Sequence, residues 1–533
     1  MRERPSESRT AAARRAVLGA LAGAGLVALG ATAGEALAQT RGGTAILAID
    51  SDPETLNPGL TTGYSAGDVA AKIFEGLVWI DADGAPQPSL ATAWRLSDDG
   101  LVYTFSLRPN VTWHDSRPFT AEDVAFTFNE VLAQLHPRTS TTLKRLKAEA
   151  RAVDAGTVTI TLAEPFAPFM RQMWVFDSPI LPAHLFAGTD VKTNPANQAP
   201  VGTGPFRLVS WNRGSDVRVE RNPTYWDAGK PYLDAIVFQV VPQAMNRTAG
   251  LETGEIDLVV DFYLPKAEVP RLLANPQLQS KRGRTIPAIY FLMVNTKRAP
   301  FTDVRARQAL AHAIDRERLV AQAMNGLARP GAGAFGDGFP WLVNEDVAYT
   351  KLYPLDAAAG RALITEAGGA AAPLRLVYDT ARPQMAATAQ IVRENLRAIG
   401  LEVTLEPLER SVAIAKVFKD RDFDLTLQSY FSSGDPAIGY HRLYLTNETD
   451  RQFTNASGFG TPEVDGLLAR AATEADRAER ARLYKELQVI LNRDLPSVVL
   501  FDEDGVDFAS VKLEGLWTSL DSRDRFGEVW MRR

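Results

Sequence analysis

Arg382 lies between a strand pattern that ends at Tyr378 and a helical pattern that starts around Pro383. In open α/β sheets, ligands bind outside the carboxyl ends of the strands. A guanidinium in that place offers a bidentate fork to a carboxylate, and the following helix N-terminus adds backbone donors and positive potential. The plainer alternative is a solvated loop arginine, or one paired with Asp379.

The segment Ser429-Tyr430-Phe431-Ser432-Ser433-Gly434-Asp435-Pro436 follows a strand pattern from Phe423. In a parallel sheet it would emerge at the same edge as Arg382, where Tyr430 and Phe431 could wall a cleft. Asp435 before Pro436 also reads as a turn that fixes the backbone. Tyr64 joins Arg382, Tyr430, Phe431, Ser433 and Asp435 among the candidate ligand contacts.

Chemistry beyond binding finds little support. Gly331-Ala332-Gly333-Ala334-Phe335-Gly336 matches the dinucleotide fingerprint letter for letter. No clear strand precedes it, however, and Asp337-Gly338-Phe339-Pro340 blocks a following helix, so it reads as a loop. The histidines, His114, His136, His184, His312 and His441, are scattered without metal-ligand spacing. There is no Gly-x-Ser-x-Gly elbow and no phosphate-cradling loop, and Asp98-Asp99 sits in a turn. We expect no enzyme, no metal and no cofactor.

The elements that would position these residues alternate between strand and helix. Thr44 to Ile49 reads as a strand, and Val69, Ile73 and Leu77 share a helix face. Leu101, Tyr103, Phe105 and Leu107 alternate with Val102, Thr104 and Ser106, and Val158, Ile160 and Leu162 repeat that period. Thr120-Ala121-Glu122-Asp123 starts a helix between them, giving a mixed α+β lobe. Leu374 to Tyr378, a helical stripe from Met385 to Ile399, and Leu401 to Leu405 make a βαβ unit. Leu483, Leu487, Ile490 and Leu491 form a late helix face, followed by a strand from Ser497 to Phe501. The Asn, Pro and Gly-rich stretch from Thr193 to Gly204 places a boundary near 205, and a new region starts near Asn295.

With 533 residues, 45% hydrophobic and 23% charged, the chain is long enough for about three lobes of ordinary globular composition. A net charge of -6 gives no basic field for nucleic acid or an anionic bilayer. The absence of cysteine removes disulfides, thiolate metal sites and an acylated lipoprotein Cys. Arg2, Arg4, Arg9, Arg14 and Arg15 precede a charge-free run from Ala16 to Gly34, and Ala36-Leu37-Ala38 offers a cleavage site. Residues 1–38 therefore read as an export signal of twin-arginine type, with general secretion as the alternative. A membrane anchor is the other reading, but the run is rich in Ala and Gly.

Several ordered motifs resemble one family. They are Pro88-Ser89-Leu90-Ala91-Thr92-Ala93-Trp94, the run Ser97-Asp98-Asp99-Gly100 through Arg108, and Val111-Thr112-Trp113-His114-Asp115. Phe119-Thr120-Ala121-Glu122-Asp123-Val124, Gly202-Thr203-Gly204-Pro205-Phe206 and Asn222-Pro223-Thr224-Tyr225-Trp226 continue the series. Phe301-Thr302-Asp303-Val304-Arg305 and Ala313-Ile314-Asp315-Arg316 complete it. Together they resemble the extracytoplasmic solute-binding proteins of family 5, the dipeptide, oligopeptide and nickel-type receptors of ABC importers.

The resemblance implies an α/β fold of the periplasmic-binding-protein kind, large (cluster C), with two lobes, an additional α+β subdomain and a ligand cleft between the lobes. Lobe Ia would comprise 39–80, 205–296 and 497–533, subdomain Ib 81–204, and lobe II 297–496. It also implies a monomer in the periplasm that closes on a short peptide or similar carboxylate-bearing solute and delivers it to an ABC permease. Carbohydrate, opine-like and metal-chelate ligands belong to the same class, and an exported sensory or chaperone-like binding protein is a further alternative. In dipeptide-type members an Arg of the strand-to-helix loop binds the peptide carboxylate, and Arg382 resembles it. Ser433 stands where those members carry an Asp for the peptide amine, in a loop one residue shorter. Asp435 could substitute, although it matches the family's Gly-Asp-Pro turn rather than the amine anchor, and it stays among the candidate site residues.

Overall fold

The computed structural model describes residues 39–282, 287–380, 383–432, 434–447 and 453–532, and its compact unit is Thr40–Arg533. The segment 1–38, expected to be an export signal, and two candidate ligand residues, Arg382 and Ser433, lie outside the described residues.

The unit is a mixed α/β assembly built on three principal sheets, each with its own apolar core. The first has seven strands, with Thr44–Ile49 at its centre, parallel to Ala235–Val240 and to Leu258–Val259. Helix Tyr64–Ile73 buries Val69, Ala70 and Ile73 in the core of that sheet. The second sheet has four strands, in which Val102–Leu107 lies between Ala91–Leu96 and Thr157–Thr161. Its alternating pattern sends Tyr103, Phe105 and Leu107 inward and leaves Ser106 outside, as period two requires. Thr120 opens the helix Ala121–Phe126 with a capping box, its backbone N–H donating to Asp123 Oδ2 at 2.9 Å.

The third sheet has six strands, in the order Ala328–Pro330, Ser497–Glu503, Ala288–Val294, Leu425–Phe431, Leu374–Asp379, Val403–Leu408. Ala288–Val294 and Ser497–Glu503 are buried along their whole length; the first is an unbroken apolar run, and the second has its apolar run at 498–501. The βαβ unit is present: Leu374–Asp379 pairs in parallel with Val403–Leu408, and helix Pro383–Ala398 joins them.

Strand pairing moves two of the expected divisions. Ala288–Val294 and Ser497–Glu503, which the expected division places in lobe Ia, lie in the six-stranded sheet, where Ala288–Val294 pairs with Leu425–Phe431 on one side and with Ser497–Glu503 on the other. Leu278–Arg282 thus belongs to the seven-stranded sheet and Ala288–Val294 to the six-stranded one, and Ser497–Glu503 and Val506–Ser510 divide the same way across 504–505.

The stretch Gly331 to Gly336 is a loop. Its glycines serve close packing on the strand Ser497–Glu503: a Cβ on Gly331 would lie 2.6 Å from Val499 O, and one on Gly336 would meet the Asp502 carboxylate at 2.1 Å. No phosphate cradle or helix follows, only the short turn Pro340–Leu342.

Candidate functional site

Leu374–Asp379 and Leu425–Phe431 run parallel, with Leu376 opposite Leu425 and Val377 opposite Thr426. Their carboxyl ends therefore emerge at one edge of the six-stranded sheet, the edge at which α/β sheets bind ligands. Phe431 is the last residue of its strand and stands half-buried there.

Tyr430, its neighbour, does not line the cleft. Successive side chains of a strand face opposite ways, and Tyr430 is 1% exposed inside the core of this sheet. Its ring meets Phe291 edge-on at 5.1 Å, Arg442 lies over it at 4.3 Å, and its hydroxyl donates to Thr454 O at 3.3 Å. Burial pushes the phenol well above its ordinary range.

Asp435 is likewise an internal residue. It caps the short helix Pro436–Gly439, accepting from Ala437 N at 2.9 Å, and Arg480 grips both its oxygens at 2.6 and 2.7 Å. The residue is 4% exposed and both its carboxylate oxygens are engaged by Arg480, so in this arrangement it serves the fold, although it also borders a cavity.

Phe431 shares a cavity of about 100 Å³ with Tyr64, Trp174, Phe176, Arg138 and Arg523. Tyr64 and Phe431 thus line one cavity although 367 positions separate them in the chain. Tyr64 opens the helix Tyr64–Ile73, its ring stacked on Phe262 at 3.9 Å with the Arg523 guanidinium 4.0 Å from its centroid. Arg523 also lies 4.7 Å over Phe176 and is forked onto Asp521, with Nε to Oδ1 at 3.0 Å and Nη2 to Oδ2 at 2.6 Å. Burial disfavours its charge, but Asp521 more than offsets this and holds the guanidinium protonated.

Beneath this wall the charges are matched inside the protein. Tyr263 Oη donates to Asp68 at 2.5 Å, and the buried Lys72 ammonium donates to the backbone carbonyls of Asp68, at 3.1 Å, and of Arg523. Burial raises Asp68 to about 6, with Arg523 and Lys72 resisting, and lowers Lys72 to about 8 against the pull of Asp68. On the other wall Asp177 pairs with Arg138 at 2.7 Å and accepts from Trp174 Nε1 at 2.6 Å. The cavity therefore offers flat aromatic faces and firmly held guanidinium groups, suited to stacking on amide or carboxylate planes.

Among the described residues no cluster of His, Asp and Glu could hold a metal ion. The histidines serve the fold separately: His114 contacts Gly204 O at 3.0 Å, His441 contacts Tyr484 Oη at 2.8 Å, and His184 pairs with Asp115 at 2.6 Å. No helix of the described residues is long and apolar enough to cross a membrane.

Sequence reasoning missed Arg523, Trp174, Phe176 and Arg138. They come from segments without a periodic pattern, and the one trace of Arg523 is the alternating charge run Asp521-Ser522-Arg523-Asp524-Arg525.

The model of the bacterial extracellular solute-binding proteins, family 5 (middle), matches residues 85–451. The glutathione-binding protein GsiB of Salmonella typhi is 29% identical over 502 residues, covering 91% of this chain and 94% of that protein. Among solved structures, the ABC transporter substrate-binding protein CtaP of Listeria monocytogenes superposes with a TM-score of 0.80 at 24% identity, covering 93% of this chain and all of that one. The PBP AgaA from A. tumefaciens R10, in complex with agropinic acid, superposes with a TM-score of 0.77 at 25% identity, covering 92% of this chain and 99% of that one.

Proposed function

We propose, from the premise that the chain belongs to family 5 of the bacterial extracellular solute-binding proteins, that it captures a short peptide or similar small carboxylate-bearing solute and delivers it to an ABC permease. The observation that carries this reading is the cavity that Phe431 of the six-stranded sheet shares with Tyr64, on the side of the seven-stranded one. A solute held there touches both bodies at once and so favours the arrangement in which they are close. The described connection at 504–505, between Ser497–Glu503 of the six-stranded sheet and Val506–Ser510 of the seven-stranded one, is a hinge position for such a closure.

In this reading residues 1–38 are removed on export by the twin-arginine route, the mature chain works in the periplasm as a monomer, and Arg382 receives a ligand carboxylate. Ser433 contributes to the same loop without replacing the amine-binding acid. The relation to a glutathione-binding protein and to a receptor solved with agropinic acid supports a small organic acid or peptide over a carbohydrate.

Isothermal titration of the mature protein tests the reading, with glutathione, a set of di- and tripeptides, and neutral sugars as ligands. Binding at micromolar or tighter affinity is expected for at least one carboxylate-bearing member. Sugar binding with no affinity for any acid would contradict it.

A further inference from the structure

A second cavity, of about 370 Å³, also borders the loop that follows Phe431. Arg171, Asp83 and Gly84, beside the core of the four-stranded sheet, line one side, and Trp341, Gly434 and the first turn of helix Arg477–Asp494, beside that of the six-stranded sheet, line the other. Three guanidinium groups, Arg171, Arg477 and Arg480, face it.

Only one of these cations is directly ion-paired. Arg480 is held by Asp435, whereas among the described residues the side chains of Arg171 and Arg477 make no hydrogen bond or ion pair. Asp83, Asp435 and Glu474 also line the cavity, and Asp435 and, less strongly, Asp81 act on Arg171 through space, but none of these acids forms an ion pair with Arg171 or Arg477. Arg477 rests 5.5 Å over the Trp341 ring, and it occupies the first turn of its helix, where a cation opposes the macrodipole.

The Arg171 guanidinium is fitted between the two sides. A Cβ on Gly84 would lie 2.7 Å from its Nη1, and one on Gly434 would lie 3.2 Å away. Burial pushes Arg171 below its ordinary range, Asp435 resists, and Arg477 and Arg480 add to the push. Two unpaired guanidinium groups in a partly desolvated cavity, beside a flat indole, make an arrangement that a carboxylate would complete with charge-assisted hydrogen bonds.

We propose that this cavity is a second anion subsite, in which Arg171 and Arg477 take a carboxylate that the ligand carries in addition to the one bound in the first part of the cleft. The inference rests on the capture reading above and narrows it: the ligand is a small peptide or conjugate with two acidic ends. It also predicts which protein groups read the second end.

The test compares glutathione with its two single-carboxyl amides by titration calorimetry, using the wild type, Arg171→Gln and the pair Arg171→Gln, Arg477→Gln. Neither side chain is bonded within the protein, so thermal unfolding should be little changed. The proposal expects the double variant to lose at least tenfold in glutathione affinity and the wild type to bind one of the amides at least tenfold more weakly. That amide should bind the variant and the wild type alike. Equal losses for all three ligands would assign the arginines to holding the two bodies together and overturn the subsite, as would unchanged glutathione binding. Wild type that binds the amides but not glutathione would also overturn it. If the wild type binds no peptide, the peptide reading fails, and citrate becomes the probe. Citrate binding abolished in the double variant would sustain the subsite, and absent or unaltered citrate binding would reject it.

Discussion

Arg480 and Asp435 form a buried two-pronged ion pair, Nη1 to Oδ2 at 2.7 Å and Nη2 to Oδ1 at 2.6 Å. It fastens the first turn of helix Arg477–Asp494 to the loop that carries Phe431, and it occupies the one described acid of that loop. Arg480 also donates to Ala471 O at 2.7 Å, so the pair anchors the loop to two helices.

Removing one partner leaves the other charged and uncompensated in a low-dielectric place. Arg480→Ala is expected to lower the unfolding free energy by about 3–5 kcal/mol, the usual cost of breaking a buried pair from one side. Urea unfolding at neutral pH measures this. A loss below about 1 kcal/mol would mean that the pair is solvated in solution.

Adjacent aromatics should behave oppositely. Phe431→Ala and Tyr64→Ala are expected to weaken ligand binding at least tenfold, about 1.4 kcal/mol or more, with folding largely retained. Tyr430→Ala should instead cost about 3–5 kcal/mol of stability as a core truncation, while whatever protein remains folded binds normally. Calorimetric binding and denaturant curves on the three variants separate the roles. A binding defect in the Tyr430 variant at full stability would reverse the assignment.

Acid should destabilise the protein through its buried histidines. Burial, aided by Arg480 and Arg145, lowers His441 to about 3, and burial lowers His114 and His136 to about 4. The unfolded chain takes up these protons near 6.5, so the stabilisation is complete above that pH and is lost as pH falls toward the folded values. Each such histidine contributes a loss of about 1.4 kcal/mol per pH unit in the window. Asp68, raised to about 6, acts in the opposite sense between about pH 4 and 6, where acidification favours the folded state. Unfolding free energies at pH 7, 6 and 5 should fall less steeply for His441→Gln than for the wild type. Parallel slopes would show that His441 is not held neutral.

What the sequence made legible was whatever its periodicity encodes. The parallel strands ending at Asp379 and Phe431 follow from their apolar runs and the amphipathic helix between the first of them and Val403–Leu408, so the shared sheet edge could be read in advance. Tyr430 was assigned to the cleft beside Phe431 because two neighbouring aromatics look equivalent until the strand's facing is fixed. Asp435 looked available because its partner, Arg480, lies 45 positions later on a helix whose apolar stripe gives no hint of it. Arg171 and Arg523 sit in short turns and irregular chain, where only the folded arrangement brings them to a cavity. The glycine run at 331–336 matched a nucleotide fingerprint, yet its glycines answer to the strand Ser497–Glu503 packed against them.

The most direct test of the capture reading is native mass spectrometry of the protein purified without denaturation from its own cells. The account predicts a retained small molecule, released on unfolding, whose mass and fragmentation show a peptide or conjugate bearing carboxylates. A retained sugar or other ligand with no acidic group would contradict it.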